Sequence, residues 1–341
     1  MKVLVTGGAG FIGSNFVRYL LKSQKDLKIT NFDKLTYAGN PESLADVASD
    51  PRYRFVYGDI ASAKDVNNIL EEGFDALVNF AAETHVDRSI EDDSPFLTTN
   101  ILGTKCLLEA ARRLPIPRFV HISTDEVYGS APDGVSFSEQ AVLDPRSPYA
   151  ASKASADHFV AAYANTYGVS AVILRSTNNF GPFQFPEKLI PLIIANARED
   201  KSIPIYGDGL QERDWLFVED YCHAIALALE RAMPGSVYNI SAGSPQQNLT
   251  IARTILQHLG KPESLIKYVK DRPGHDRRYA LDSSKIQREL GWSPKVSFEE
   301  GIRRTIDWYQ TNSGWLENAR SGEYLKYYER HYTNRLETFR A

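Results

Sequence analysis

The chain has 341 residues, 43% of them hydrophobic and 24% charged, with a formal net charge of −4. That balance leaves no electrostatic footprint for nucleic acid and no basic patch for an anionic membrane, and no apolar run approaches the ~20 residues needed to span a bilayer. The length suits one large or two interlocked domains with an ample core. Met1 leads at once into a strand, which leaves no room for a signal peptide. Cys106 and Cys222 form no CxxC pair and read as core packing. A reducing, cytoplasmic setting is expected, with no metal site.

In chain order, residues 2–6 form a short β-branched run that ends at Gly7-Gly8-Ala9-Gly10-Phe11-Ile12-Gly13, after which Phe16, Val17, Leu20 and Leu21 recur at helical spacing. Strand, glycine turn and helix in succession let backbone N–H groups approach a pyrophosphate at a helix N-terminus. A second strand is predicted over 27–32, with Asp33 at its end. A carboxylate there suits two ribose hydroxyls and repels a 2′-phosphate, which favours NAD over NADP.

The alternation continues with strands over 53–57, 76–80, 118–123 and 170–175 and helices over 65–72, 96–114 and from Pro148 onward. Such alternation predicts a Rossmann-like, doubly wound α/β fold with a parallel sheet, right-handed crossovers and ligands beyond the strands' carboxyl ends. Asp59, Ala81, Thr84 and Thr124 fall just after strand ends. Asp59 equally suits a cap on the following helix. His85, Asp87 and Arg88 read as a local salt-bridge and hydrogen-bond cluster rather than a metal site.

Proline-containing turns over 178–191 mark where the chain leaves the sheet to build a lid. A strand and turn follow over 203–209, then a helix over 219–231, a strand over 236–240 that returns to the sheet, and a helix over 249–259. Residues 271–278 concentrate three arginines and a histidine, either a solvated charge run or a site for two phosphates. A helix over 298–310 closes the fold. The aromatic, charged stretch from Trp315 to Ala341 reads as a helical tail on the surface, without evident chemistry. The expected division is a cofactor domain of 1–177 with returning segments near 213–242, a smaller interleaved C-terminal α/β substrate-binding domain of about 178–212 and 243–320, and a tail.

The chemistry-bearing stretch is 120–153. Tyr149 and Lys153, four apart on a helix, share one face. An ammonium beside a phenol favours the phenolate and lowers its pKa. Asp125 and Glu126, directly after Thr124, offer a second acid/base pair. Tyr-x-x-x-Lys alone arises by chance in many helices; the nucleotide-binding N-terminus is what gives it weight.

On Gly7–Gly13, Tyr149/Lys153 and 175–182, the chain resembles the extended short-chain dehydrogenase/reductases. On 33–40, 81–90, 123–129, 178–191 and 271–280 it resembles their NAD-dependent sugar-nucleotide epimerase/dehydratase branch, over roughly residues 1–310. Departures are Thr84 for the usual Ser, Phe180 and Phe183 for the usual Tyr, and a short connection over 129–138.

The resemblance implies a hydro-lyase acting on dTDP-glucose, with tightly held, regenerated NAD. Tyr149, aided by Lys153 and Thr124, would take the proton from the hydroxyl at position 4 as hydride passes to NAD. Glu126 would take the proton at position 5 while Asp125 protonates the hydroxyl leaving position 6; hydride would then return to position 6 and position 5 would be reprotonated. It also implies a cofactor site of Gly7, Gly10, Phe11, Ile12, Gly13, Asp33, Lys34, Leu35, Thr36, Asp59, Ile60, Ala81, Ala82, Thr99 and Asn179 together with Tyr149 and Lys153. The implied substrate site is Thr84, Thr124, Asn178, Lys188, Leu189, Pro204, Tyr206, Arg213, Asn248, Arg272 and His275. Helices over 96–114 and 148–167 would pair between two subunits, with Leu107, Leu108, Ala111, Phe159 and Val160 as apolar contributors to a homodimer. Three rivals remain: a sugar-nucleotide 4-epimerase, which would leave Asp125 and Glu126 idle, a 4,6-dehydratase acting on another nucleoside-diphospho-sugar, and a non-catalytic NAD-binding regulator.

Overall fold

The computed structural model describes residues 1–330 apart from 115, 321–323, 325 and 329. The first half runs β1 (Lys2–Thr6), α1 (Phe11–Ser23), β2 (Lys28–Asp33), β3 (Tyr53–Tyr57), α2 (Ala63–Leu70), β4 (Ala76–Asn79), α3 (Val86–Glu91), a one-turn α4 (Ser94–Phe96), α5 (Thr104–Arg113), β5 (Phe119–Thr124), α6 (Pro148–Tyr167) and β6 (Ala171–Ser176). The second half runs β7 (Asn178–Phe180), α7 (Leu189–Arg198), β8 (Ile203–Tyr206), β9 (Glu212–Phe217), α8 (Val218–Arg231), β10 (Val237–Ile240), β11 (Pro245–Gln247), α9 (Asn248–Leu259), β12 (Ile266–Val269), α10 (Ser284–Leu290), α11 (Phe298–Thr311) and α12 (Ser313–Ala319).

The main sheet has the order β10-β6-β5-β4-β1-β2-β3, with every pairing parallel. The segment over 237–240 returns to the sheet beside β6, as its apolar pattern predicts. Helices cover both faces because both faces are apolar. In β1, Val3 and Val5 pack with Phe16, Val17 and Ile225 on one side, while Leu4 packs with Ile69, Leu107 and Phe119 on the other. Connections diverge at the β1/β4 junction, the place in such sheets where a crevice opens for ligands.

Two smaller sheets, β11-β9-β7 and β12-β8, lie beyond the carboxyl edge. They share a separate core in which Phe180, Trp215 and Phe217 meet Ile193, Ile251 and Ile302. Phe180, fully buried in this core, sits where a phenol would need a partner.

The helix expected over 96–114 is interrupted. Leu97–Gly103 adopts the wider π conformation, and a Cβ on Gly103 would meet Ile60 Cδ1 at 2.6 Å. The bulge turns Thr99 toward the crevice. The apolar residues expected between subunits mostly serve this chain's own core: Leu107, Leu108, Ala111 and Val160 are buried against the sheet. Of that set only Phe159 is exposed, joined on the neighbouring bulge by Leu97 and Leu102. Apolar content on a helix does not say which face meets the sheet.

The tail begins as expected, helical and packed on the surface: Trp315 Nε1 donates to Ser43 Oγ at 3.2 Å, and Tyr324 OH to Pro186 O at 3.1 Å. Residues 331–341 lie outside the described part. Among the described residues no helix is long and apolar enough to cross a membrane, and no cluster could hold a metal ion.

Candidate functional site

A single cleft runs along the carboxyl edge of the main sheet, from the glycine turn to Lys188. At its first end Gly7 takes φ +69°, and a Cβ there would sit 2.5 Å from Ala81 N. Gly13 is equally constrained, since a Cβ would fall on Gly7 O. Both glycines keep backbone at the cleft surface where a side chain would fill it. Asp33 closes the turn: its Oδ2 accepts Ala9 N–H at 2.9 Å and its Oδ1 accepts Leu35 N–H at 2.8 Å. Burial pushes this carboxyl above its usual range, and the two N–H donors oppose that. A carboxylate accepts about four hydrogen bonds, so capacity remains for hydroxyls in the cleft.

Of the residues expected to hold a dinucleotide, Gly7, Gly10, Phe11, Ile12, Gly13, Asp33, Lys34, Thr36, Asp59, Ile60, Ala81, Ala82, Thr99, Tyr149, Lys153 and Asn179 all line the cleft. Leu35 does not; it occupies a left-handed turn at φ 54° and contributes its backbone N–H to Asp33. Asp59 is not the cap of α2, which is Ser62. Its Oδ2 instead meets Lys34 Nζ at 3.3 Å, and Lys34 also reaches Thr99 Oγ1 at 3.3 Å. The Asn179 Oδ1 and Ser123 Oγ atoms are buried without a hydrogen-bond partner in residues that line this cleft. The cradle, the carboxylate and these orphaned atoms fit an NAD-sized ligand.

At the other end β5 delivers Thr124, Asp125 and Glu126, and Ser147 caps α6 by accepting Ala150 N–H at 3.1 Å. That cap places Tyr149 in the first turn, its backbone N–H on Ser89 Oγ at 3.1 Å. The expected direct Lys153–Tyr149 effect is not what this structure shows. Lys153 Nζ donates to Ile122 O at 2.6 Å, and burial pulls its pKa down to about 8 against the opposing charge of Asp157. The Tyr149 phenol is pushed well above its usual range by burial and by Glu126, with Asp125 adding to the rise, while a hydrogen bond with Thr124 pulls the other way. Burial, with two adjacent carboxylates, outweighs what spacing on the helix alone suggests.

Those carboxyls are themselves perturbed. Asp125 is 2% exposed, and burial together with the Glu126 charge pushes it well above the carboxylate range. Its Oδ1 takes the Thr124 hydroxyl at 3.1 Å, while Oδ2 is buried with no partner. Glu126 is also raised by burial, but Arg272, Arg213 and Lys188 draw it back. Neighbouring acids pushed apart in this way suit a proton donor beside a proton acceptor.

The residues expected to hold a sugar nucleotide divide in two. Thr84, Thr124, Asn178 and Lys188 line the cleft, with Lys188 Nζ on Thr84 O at 2.7 Å. Pro204, Tyr206 and Arg213 stand on the smaller sheets, Leu189 and Asn248 open α7 and α9, and Arg272 and His275 follow β12, all outside that wall. They form a neighbouring group: Tyr206 OH meets Asp87 Oδ2 at 3.2 Å, Arg272 Nη1 lies 4.0 Å from the same oxygen, and the His275 ring packs edge-on to Tyr206. The backbone N–H of Asn248 donates to Gln211 O at 3.1 Å. Arg213 is buried, its guanidinium 4.0 Å over the Tyr279 ring. Arg277 and Arg278 pair with Asp208 and Glu212, so only Arg272 of that run faces Glu126. The cluster expected at His85, Asp87 and Arg88 is local in one hydrogen bond, Arg88 N–H to His85 Nδ1 at 3.4 Å, while its charged contacts reach further: Arg88 Nε lies 3.5 Å from Glu187 Oε2, and Asp87 meets Tyr206.

A family model described as GDP-mannose 4,6 dehydratase matches residues 4–305. The chain belongs to the GDP-mannose 4,6 dehydratase family. A dTDP-glucose 4,6-dehydratase of Salmonella typhimurium is 47% identical to it, over 98% of this chain and 100% of that one. The structure of the dTDP-glucose 4,6-dehydratase DesIV of Streptomyces venezuelae, with NAD and TYD bound, superposes with a TM-score of 0.91 at 49% identity, covering 94% of this chain and 100% of that one. A UDP-glucuronic acid 4-epimerase of Bacillus cereus, in complex with UDP-glucuronic acid and NAD, superposes at 0.86 with 31% identity, covering 91% and 99%.

Beyond the expected residues, this GDP-mannose 4,6 dehydratase family member lines its cleft with Glu83, Ser123, Gln184, Glu187 and Tyr221. Glu187, in a proline-flanked turn beside Lys188, was open to recognition as a carboxylate next to a cation. Tyr221 lies on an apolar helix face and gives no local signal. Asn100 also went unmarked: its side chain grips Glu83 by N–H at 2.9 Å and C=O at 3.0 Å and donates to Ser152 Oγ at 2.8 Å. It thereby ties the turn after β4 to the Tyr149 helix.

Proposed function

We propose that this chain is an NAD-dependent dTDP-glucose 4,6-dehydratase, a hydro-lyase that forms dTDP-4-keto-6-deoxyglucose and water in deoxysugar biosynthesis, acting as a homodimer in the cytoplasm. The observation that carries the reading is the pair of buried Asp125 and half-buried Glu126 on the same cleft wall as Thr124, Tyr149 and Lys153. Oxidation at one carbon uses the tyrosine and lysine. Eliminating water demands a further acid and base, and burial raises both carboxyls, Asp125 further through the Glu126 charge and Glu126 less because Arg272, Arg213 and Lys188 draw it back.

The turn Gly7–Gly13, Asp33, Lys34, Thr99 and Asn179 would hold NAD. When bound, NAD supplies the hydride acceptor that opens the cycle and the donor that closes it. Tyr149 takes the proton from the hydroxyl at position 4 as that carbon is oxidised, with Thr124 hydrogen-bonded to the phenol and Lys153 one turn along the same helix face. The new ketone acidifies the proton at position 5, which Glu126 accepts. Asp125, held neutral by its burial, protonates the hydroxyl that leaves position 6. Arg213 and Arg272 offer charge to a diphosphate, and Tyr206 a ring for a pyrimidine. Exposed Leu97, Leu102 and Phe159 support pairing with a second copy.

Incubation with a panel of nucleoside-diphospho-glucoses, read by mass, tests the assignment. A product one water lighter from dTDP-glucose is expected. A product of unchanged mass identifies a 4-epimerase, and binding of NAD without turnover identifies a regulator.

A further inference from the structure

Tyr149, Lys153 and Asp157 recur at four-residue intervals along α6 and so share one face. Two of them serve the reaction proposed above. The third is buried deeper than either, at 1% exposed against 5% for Lys153 and 7% for Tyr149.

Lys153 has an unusual setting for a cation. Its one hydrogen bond goes to a neutral backbone carbonyl, Ile122 O, while an ammonium carries three donors. Asp157, one turn further on, is anchored from a different element. Its Oδ2 accepts Arg175 Nε at 2.8 Å. Arg175 Nη1 donates in turn to Tyr128 OH at 2.7 Å, and Tyr128 OH to Asn239 Oδ1 at 2.9 Å. The second carboxylate oxygen, Oδ1, is buried without a hydrogen bond and lies 3.7 Å from His121 Nε2.

We propose that Asp157, fixed by Arg175, is a positioning residue that keeps Lys153 charged in the dry interior behind the cleft. The inference rests on the assignment of Lys153 to the oxidation step. The titratable groups that face Asp157 and Lys153 come from every surrounding element: His121 from β5, Arg175 from β6, Tyr221 from α8 and, beyond Arg175, Tyr128. His121 is held well below its usual pKa by burial and by the charges of Lys153 and Arg175, so it adds no positive charge near neutrality. Tyr221 is raised by burial, with Asp157 contributing, and stays neutral. Asp157 is therefore the charge that opposes the burial of Lys153, which already loses its proton at about 8. At that value roughly one lysine in ten is uncharged at pH 7, and a further fall of one unit leaves half of them uncharged.

A purely structural Asp157 would only pair Arg175 and bind α6 to β6. The two roles separate in a titration of Lys153 itself, followed by NMR on protein labelled at lysine Cε and assigned by Lys153→Met. Asp157→Asn is expected to lower the proton affinity of Lys153 at least tenfold, and Asp157→Glu to restore most of it. Asp157→Asn strands the buried Arg175 charge and can prevent folding. The double variant Asp157→Asn/Arg175→Met removes both members of the pair, and a fall in the same direction is expected there, because Asp157 is the charge that raises the Lys153 value. An unchanged Lys153 midpoint in either folded variant overturns the proposal. The titration needs no substrate, so it fails or succeeds independently of the dehydratase assignment.

Discussion

Replacing Asp33 by Ala removes a carboxylate that accepts two backbone N–H groups, from Ala9 at 2.9 Å and Leu35 at 2.8 Å. Asp33 is 8% exposed, so water reaches these donors poorly once the side chain is gone. A buried donor left unpaired costs about 1–3 kcal/mol, and two cost about 2–6 kcal/mol. If cofactor binding must remake the turn, that loss appears as about 30-fold weaker NAD binding at the lower end, at 1.36 kcal/mol per tenfold. The lost contacts to ribose hydroxyls add to it. Asp33→Asn keeps one acceptor oxygen and loses about half. The assay is the NAD content of purified protein followed by its dissociation during exhaustive dialysis. Full retention of NAD by Asp33→Ala would refute the reasoning, as would stoichiometric NADP in the unmodified protein.

Three further outcomes are expected. Asp125 has a folded-state pKa raised above its unfolded value, so its favourable contribution to stability is complete below about pH 4 and lost as pH rises through the folded value. Asp125→Asn should accordingly melt higher than the wild type near neutrality, with the gain shrinking as pH falls; a gain that grows toward acid contradicts this. Burial and the Arg272 and Arg213 charges pull His275 down to about 4, so it is neutral between about pH 5 and 8. The KM for the nucleotide sugar should show no step in that range that His275→Gln abolishes. Leu102→Asp combined with Phe159→Asp should shift the light-scattering mass from twice that of one chain to one; an unaltered mass places the contact elsewhere.

What could be read from the sequence was what is local. The glycine turn, Asp33 at its strand end, Asp125 beside Glu126 and Tyr149 four residues before Lys153 are short-range patterns, and all converge on one cleft. The parallel pairing of the main sheet also follows, because strands alternating with helices are joined by crossovers. What escaped was long-range. Arg88 finds its carboxylate at Glu187, Asp87 finds Tyr206, and Arg213 rests on Tyr279; no window of neighbouring residues contains these pairs. The π turn at Leu97–Gly103 escaped because its sequence keeps an ordinary helical pattern. The direction of the Tyr149 shift escaped because spacing showed the lysine but neither the burial of the phenol nor the two carboxylates beside it.

The most direct test of the division between oxidation and elimination uses dTDP-glucose with two variants in a single turnover. Asp125→Asn keeps Tyr149 and Lys153 and removes the proton donor. It should accumulate the absorbance of reduced nicotinamide on the enzyme, with the dehydrated product forming about 10²–10⁴-fold more slowly. Tyr149→Phe should show no reduced nicotinamide at all. Formation of the 4-keto-6-deoxy product by Asp125→Asn at the wild-type rate would contradict the assignment of the acid.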